Sequence, residues 1–363
     1  MKILHIAFSG LGGHGNVFFS MADADNEKQH QFEVVFFGNE ELREGYKEMA
    51  NQRRIHWYFV KKNSRFDSEP SRQLRKIISS SLPDVVFLHS SSYIYLVKKA
   101  LFFMPRKIKI VVRETQANHL KTKLNWLGLS ISLITATKVV FLSTEYRDVV
   151  KKKLALFFSE KRTAVIPNGI DLDVYKPAAK IEHASINIGM QSRLSANKDH
   201  QTLITAFAQL VKLHTEKPLK LFIAGDGVCR SQLEELAENL GVADAVTFTG
   251  MLDETALPAF INSLDIYVHA TFGETMSTAI MQVMACEKPI VASDVLGVDN
   301  MITDNETGLL VPVKNADALC AAIEKLIKNP AMANALAGKA YNFAKNNYSN
   351  TAMLDAYNKI FNA

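Results

Sequence analysis

Short apolar segments recur along this chain, and the stretches between them are long enough to form helices. One series of segments runs from residues 3–8 to residues 164–166, and a second runs from residues 186–190 to residues 308–311. Strands that alternate with helices are typical of a parallel sheet covered by helices on both faces. Turn residues at 167–171 separate the two series. The sequence therefore predicts an α/β protein with two doubly wound domains joined near residue 177.

The composition fits a globular protein with two ordinary cores. Of the 363 residues, 48% are apolar and 22% are charged. The first residues form a short strand-like segment without a secretory cleavage pattern, and we expect a cytoplasmic protein. The three cysteines, Cys229, Cys286 and Cys320, lack the spacing of a metal site, so we expect free thiols.

Charge is divided unevenly between the two halves. Residues 1–180 carry 29 Lys and Arg against 17 Asp and Glu, whereas residues 181–363 carry 13 against 20. This division indicates either that the first half meets an anionic partner or that surface charge is distributed by chance. Residues 93–109 and 147–162 mix aromatic and cationic side chains. They fit the cytoplasmic face of an anionic membrane, or equally helices packed against the sheet.

Residues 265–294 carry the pattern with the clearest chemistry. The pattern predicts a strand over residues 265–269, a loop, a helix over residues 278–285 with Ser277 as its N-cap, and a second strand. A helix N-terminus at the carboxyl end of a strand offers N–H groups and a positive dipole to a phosphate. Glu274 lies in the loop before that helix, and Gln282 lies within the helix.

This stretch resembles the donor-site signature of the retaining glycosyltransferases of family 4. The signature is a Glu, seven residues, a second Glu and then a Met-Ala and Pro segment. Glu274, Met284-Ala285 and Pro289 match it, whereas Gln282 replaces the second Glu. The resemblance implies the GT-B fold, in which two Rossmann-like doubly wound domains face each other across a cleft. An ordinary strand–helix unit with a surface Glu is the alternative interpretation.

A second segment strengthens the resemblance. Residues 189–198 resemble the family's Gly-Arg-Leu then Lys segment, with Arg193 and Lys198 five positions apart. Two cations can stabilise the charge that develops on a leaving diphosphate. The resemblance implies catalytic roles for Arg193, Lys198 and Glu274, with Glu274 on the sugar hydroxyls. It implies that the donor is also contacted by Gly12, Gly13, Met251, Leu252, Thr275, Met276, Ser277 and, at the ribose, Gln282.

The first half matches the family less closely. Gly10, Gly12 and Gly15 satisfy a dinucleotide-binding fingerprint after the first strand, but Glu40 comes late for the acid that should bind the ribose. We favour instead the family's glycine pair, in which the backbone at Gly12 and Gly13 approaches the ligands. The family often places a His after the strand predicted at residues 108–112. The acceptor-side candidates in this chain are His14, Arg113, Glu114 and His119, and core or salt-bridged roles are equally open to them.

The resemblance also implies the domain limits. We expect an acceptor-binding domain at residues 1–177, a donor-binding domain at residues 178–346, and a helix at residues 347–363 that crosses back to the first domain. The predicted activity is transfer of a hexose from a nucleotide-sugar to a glycan or lipid-linked acceptor, in bacterial-type surface polysaccharide synthesis. No metal, other cofactor or nucleic acid partner is expected. The alternatives are a catalytically decayed binding protein of the same fold and a nicotinamide-dependent oxidoreductase.

Overall fold

The chain folds into two units, each built on one parallel sheet. The computed structural model describes residues 1–10, 13–62, 69–102, 104, 107–116, 118–179, 184–213 and 217–363. The first unit comprises Met1–Gly169 and Asn350–Ala363, and the second comprises Ile170–Ser349. Among the described residues, no helix is both long enough and apolar enough to cross a membrane.

The sheet of the first unit has seven parallel strands in the order β3-β2-β1-β4-β5-β6-β7. The strands are β1 Lys2–Phe8, β2 Gln31–Gly38, β3 His56–Lys61, β4 Val85–Leu88, β5 Lys109–Glu114, β6 Lys138–Phe141 and β7 Thr163–Val165. The helices are α1 Gly13–Ala24, α2 Glu44–Gln52, α3 Glu69–Ser81, α4 Ile94–Leu101, α5 Lys123–Thr135 and α6 Thr144–Lys153. Buried side chains cover both faces of the sheet in two clusters.

The sheet of the second unit has six parallel strands in the order β10-β9-β8-β11-β12-β13. The strands are β8 Ile186–Gln191, β9 Leu219–Ala224, β10 Val246–Gly250, β11 Ile266–His269, β12 Ile290–Ser293 and β13 Leu309–Val311. The helices are α7 His200–Leu213, α8 Arg230–Asn239, α9 Leu257–Asn262, α10 Thr278–Ala285, α11 Ala316–Lys328 and α12 Pro330–Asn347. Strand order reverses between β8 and β11, and ligands bind at such reversals, beyond the carboxyl ends of the strands.

The last helix, α13 Asn350–Asn362, packs on the sheet of the first unit. The rings of Tyr357 and Phe361 lie 5.1 and 6.3 Å from the ring of Phe87. The Lys109 ammonium donates to the carbonyl of Phe361 at 2.9 Å. Aromatic packing and this hydrogen bond attach the C-terminal segment to strands far from it in sequence.

The expected strands are confirmed, with two differences. The structure adds β3, a partly buried edge strand that the sequence analysis did not propose. It also extends β5 through Arg113 and Glu114, where the sequence predicted an end at residue 112. Both side chains are buried and have polar partners: Arg113 donates to Asn168, and Glu114 forms an ion pair with Lys121.

Three histidines lie close together at β1, at the end of β4 and in α1: His5 and His89 are buried, and His14 is half-buried. Nδ1 of His5 lies 3.0 Å from Nε2 of His89, and the ring of His14 lies 5.8 Å from that of His89. The rings of Phe18 and Phe87 pack against His5 at 4.8 and 4.7 Å. Burial lowers the pKa of His5 and of His14 to about 3, and it lowers the pKa of His89 well below its ordinary value.

We expect the free energy of unfolding to fall as the pH decreases from 6.5 to 5. The folded chain keeps these histidines neutral, whereas the unfolded chain binds their protons below a pKa of about 6.5. Each histidine then contributes a slope of up to about 1.4 kcal/mol per pH unit. Urea unfolding of His5→Gln should show a correspondingly smaller slope. His56, which is exposed, provides the control, and equal slopes for His5→Gln and His56→Gln would contradict the assignment.

Candidate active site

The candidate site lies at the carboxyl end of β11, where a loop leads into α10. Ser277 caps α10, because its Oγ accepts a hydrogen bond from the Ile280 amide at 3.4 Å, which confirms the predicted N-cap. The amide of Thr271 donates to Ser293 Oγ at 3.0 Å, and the amide of Glu274 donates to the Leu296 carbonyl at 3.1 Å. The loop is therefore held at both ends before it reaches the helix.

Glu274 is the centre of the polar cluster in this loop. Its Oε1 accepts a hydrogen bond from the Lys198 ammonium and lies 3.0 Å from Nε2 of His269. Burial opposes ionisation of the carboxyl group. The hydrogen bond with His269 and the charge of Lys198 outweigh that effect and lower the pKa of Glu274 to about 2. Glu274 is therefore a carboxylate at neutral pH.

His269, which the sequence analysis did not propose as a site residue, contacts the Glu274 carboxylate and positions it. It is the last residue of β11 and is 1% exposed. Its Nε2 also lies 3.2 Å from Ser277 Oγ, and its Nδ1 lies 3.4 Å from the Tyr267 hydroxyl. Burial lowers the pKa of His269, although Glu274 partly offsets this. One feature of the sequence could have indicated His269 as a site residue. It is the last residue of a predicted strand, directly before a loop at the carboxyl edge of the sheet.

Backbone pairing brings Lys198 to Glu274. The loop that follows β8 pairs with the loop that follows β11: Lys198 and Thr271 form an isolated antiparallel bridge. The Asp199 amide donates to the carbonyl of residue 270 at 3.0 Å, and the amide of Phe272 donates to the carbonyl of residue 197 at 3.2 Å. Because strand order reverses between β8 and β11, these two loops are neighbours and can join.

Arg193 lies in the same β8 loop but is not part of the Glu274 cluster. Its side chain is exposed, and within the described part of the chain its guanidinium forms no hydrogen bond or ion pair. The glycine turn after β9 packs against the backbone of the loop that carries Arg193. At Gly225, where φ is +138°, a Cβ would lie 1.8 Å from the carbonyl oxygen of Ser192. Only glycine allows that approach.

Gln282 is the third predicted side chain near this edge. It lies on α10, and its Oε1 accepts a hydrogen bond from Nε2 of Gln191, the last residue of β8. Gln191 is buried, and its own Oε1 has no partner among the described residues. The Tyr175 hydroxyl also hydrogen bonds with Gln282. The sequence analysis did not identify Gln191 or Tyr175, because both reach Gln282 only through the tertiary fold.

The remaining donor-side predictions fall on loops of both units. Met251 is 64% exposed directly after β10, and Leu252 is half-buried. Thr275 and Met276 are also half-buried, and the amide of Ser277 donates to the sulfur of Met301 at 3.3 Å. In the first unit, Gly13 begins α1. Gly12 lies outside the described residues, as does the side chain of His119.

Of the other acceptor-side candidates in the first unit, Arg113 and Glu114 are buried and His14 is half-buried. Nε2 of His14 lies 3.0 Å from the Thr115 hydroxyl. The Arg113 guanidinium donates to Asn168, and burial lowers its pKa. Glu114 forms an ion pair with Lys121 at 3.2 Å, with both side chains almost fully buried. Arg113 and Glu114 thus have the salt-bridged or core contacts that the sequence left open, while His14 lies nearest the carboxyl edge.

Among the described residues, no group of three or more His, Cys, Asp or Glu side chains is arranged to hold a metal ion. The groups that the site offers are two cations, one carboxylate and a capped helix N-terminus. Such groups can bind a phosphorylated ligand and hydrogen bond to hydroxyls.

Comparison with known proteins agrees with this chemistry. Among curated relatives, the alpha-monoglucosyldiacylglycerol synthase of Streptococcus pneumoniae is 25% identical over 93% of this chain and 76% of its own length. The lipopolysaccharide core biosynthesis glycosyltransferase LpsD of Rhizobium meliloti is 24% identical over 99% of this chain and 98% of its own length. Several other relatives match over about half of their length.

Solved structures show the same fold. HepE from Anabaena, in complex with UDP and glucose, superposes with a TM-score of 0.82 at 18% identity, and each chain is covered completely. The family model described as "Glycosyltransferase Family 4" matches residues 11–174, and the model described as "Glycosyl transferases group 1" matches residues 174–343. The chain therefore belongs to the family 4 glycosyltransferases, with the two Rossmann-like domains of the GT-B fold.

Proposed function

We propose that this protein is a retaining glycosyltransferase that moves a hexose from a nucleotide-sugar to a glycan or lipid-linked acceptor, without a metal ion. The observation that carries the proposal is the contact of Glu274 with Lys198 and His269 at the strand-order reversal of the second unit. Ligands of α/β sheets bind at such a point. Family membership supplies the reaction class, and the relatives that act on glycolipids and lipopolysaccharide support a role in surface polysaccharide synthesis.

Each charged group has a task in this proposal. Arg193 is an exposed cation without a protein partner among the described residues, and it would bind the diphosphate. Lys198, from the same loop after β8, would bind the diphosphate as well. The developing negative charge on the leaving diphosphate is stabilised by fixed cations more than the ground state is, and this difference accelerates bond cleavage.

Glu274 would hold the sugar. Its pKa of about 2 keeps it ionised, so it can accept hydrogen bonds from sugar hydroxyls but cannot donate a proton at neutral pH. His269, which is buried, holds the carboxylate in place through its Nε2 contact. The leaving phosphate, rather than a protein carboxylate, would help to deprotonate the acceptor, and transfer would retain the configuration at the anomeric carbon.

UDP and UDP-glucose are the first probes, because the Anabaena HepE structures contain them. Thermal shift and donor hydrolysis should be measured with UDP-glucose, UDP-galactose, UDP-N-acetylglucosamine and GDP-mannose. Proton NMR of the transferred sugar would give the anomeric configuration of the product. Binding without hydrolysis or transfer would favour a decayed binding protein, and an inverted product would contradict retention.

Replacing either cation should reduce activity strongly. We expect Lys198→Ala and Arg193→Ala each to lower kcat/KM by about 10² or more, because each removes a charge-assisted contact with the leaving diphosphate. Lys212→Ala, which removes an exposed cation from the last turn of α7, is the matched control and should behave as wild type. Folded Lys198→Ala or Arg193→Ala protein with near wild-type kcat/KM would remove that residue from the site.

Gln282→Glu should tighten donor binding. A carboxylate can accept charge-assisted hydrogen bonds from both ribose hydroxyls, whereas the amide offers one acceptor oxygen. We expect Kd for the donor to fall severalfold, equivalent to about 1 kcal/mol, with kcat nearly unchanged. Gln201→Glu adds the same charge to the exposed surface of α7 and is the control for titration calorimetry. An unchanged Kd in Gln282→Glu would mean that Gln282 does not contact the ribose.

A further inference from the structure

Helix α5 exposes an apolar face as well as burying one. Leu124, Leu127, Ile131 and Ile134 follow one another at steps of three and four residues, which places them on one side of the helix. Of these, Leu124, Leu127 and Ile134 are 52%, 55% and 48% exposed. The other side of α5 buries Leu129 in the core. A surface helix ordinarily presents polar residues to solvent, so its second apolar side needs a partner.

A short 3-10 turn beside α5 exposes two further apolar side chains. The turn Ala155–Phe157 packs beside α5, and it exposes 95% of Leu156 and 42% of Phe157. The ammonium of Lys153, just before the turn, lies 4.0 Å from the centre of the Trp126 ring on α5. We call Leu124, Leu127, Ile131, Ile134, Leu156 and Phe157 the apolar patch.

Cations border the apolar patch on two sides. Lys123 begins α5, and α6 ends with Lys151, Lys152 and Lys153, all of which are exposed. Residues 115–144 contain no Asp or Glu, and residues 147–162 contain six Lys and Arg against two Asp and Glu. One of those acids, Glu160, is paired with Lys151 at 2.6 Å. The rim of the patch therefore carries a net positive charge.

We propose that the apolar patch docks on an anionic lipid surface. Exposed aliphatic and aromatic side chains can enter the boundary between head groups and acyl chains, and lysines around them can meet anionic head groups. A single such signal gives weak, reversible binding, whereas two together hold a protein on a membrane. A second copy of this chain would place the same lysines against one another, and like charges would oppose that pairing.

This position suits an acceptor that is itself in a membrane. The Lys121 ammonium reaches from its ion pair with Glu114, at the carboxyl end of β5, to 5.5 Å from the Trp126 ring in the first turns of α5. The first turns of α5, where the apolar patch begins, thus lie near the carboxyl end of β5. The link to a lipid-linked acceptor rests on the proposed function, whereas lipid binding itself does not.

Co-sedimentation of the full chain with vesicles tests the proposal. Vesicles of phosphatidylcholine with about one third phosphatidylglycerol should bind the protein at least about tenfold better than phosphatidylcholine alone, and about 0.5 M NaCl should weaken that binding. Leu124→Gln with Leu127→Gln should weaken binding about tenfold or more, because both removed side chains enter the lipid. Leu213→Gln with Val228→Gln removes two exposed aliphatic residues from the second unit and should have no effect.

The cations are tested separately. Lys123→Gln with Lys152→Gln should weaken binding by about tenfold and reduce its dependence on salt. Lys212→Gln with Lys345→Gln, which removes two exposed lysines from the second unit, should not. Circular dichroism and thermal unfolding confirm that each variant is folded. No binding by the wild type, equal binding to neutral vesicles, or a dimer in solution that Leu124→Gln with Leu127→Gln abolishes would overturn the proposal. Loss of donor hydrolysis with vesicle binding intact would count against the proposed function alone.

Discussion

One carboxylate oxygen joins the two loops on which the candidate site depends. Oε1 of Glu274 contacts Lys198 from the loop after β8 and His269 from the end of β11. Because the cluster is largely buried, removing one partner would leave a charge that the others cannot fully satisfy. The pKa of Glu274 is low because its partners stabilise the anion more than burial destabilises it. The site is therefore charged before any ligand arrives.

The backbone of Glu274 packs closely against a neighbouring turn. At Gly297, where φ is +87°, a Cβ would lie 2.0 Å from the carbonyl oxygen of Glu274. The amide of Glu274 donates to the carbonyl of the residue just before that glycine. The loop thus rests directly on a neighbouring turn, which fixes the backbone that carries the carboxylate. Preorganisation of this kind is what electrostatic stabilisation of a leaving group requires.

In the first unit, buried polar groups are stabilised by pairing with one another or by remaining neutral. Glu114 and Lys121 compensate one another inside the protein, and burial keeps His5, His14 and His89 neutral. Most other charged side chains of this unit lie at its surface, and Lys123 and the three lysines that end α6 lie beside the apolar patch. The excess of Lys and Arg in the first half of the sequence therefore lies mainly on the surface of this unit and not in its interior. Its excess cations lie where they can meet an external anion.

The sequence alone determined the fold class and the location of the loop and helix that carry Glu274 and Gln282. Period and spacing are local properties, so the alternation of strands and helices, the N-cap at Ser277 and the distance from Glu274 to Gln282 could all be read directly. Local patterns could not reveal that His269 supports Glu274 or that Gln191 and Tyr175 reach Gln282. They also could not show that α5 is apolar on both sides, since a run of Leu and Ile looks the same whether its second face is buried or exposed. Those facts depend on strand order and on packing between residues far apart in the chain, and only the tertiary structure decided them.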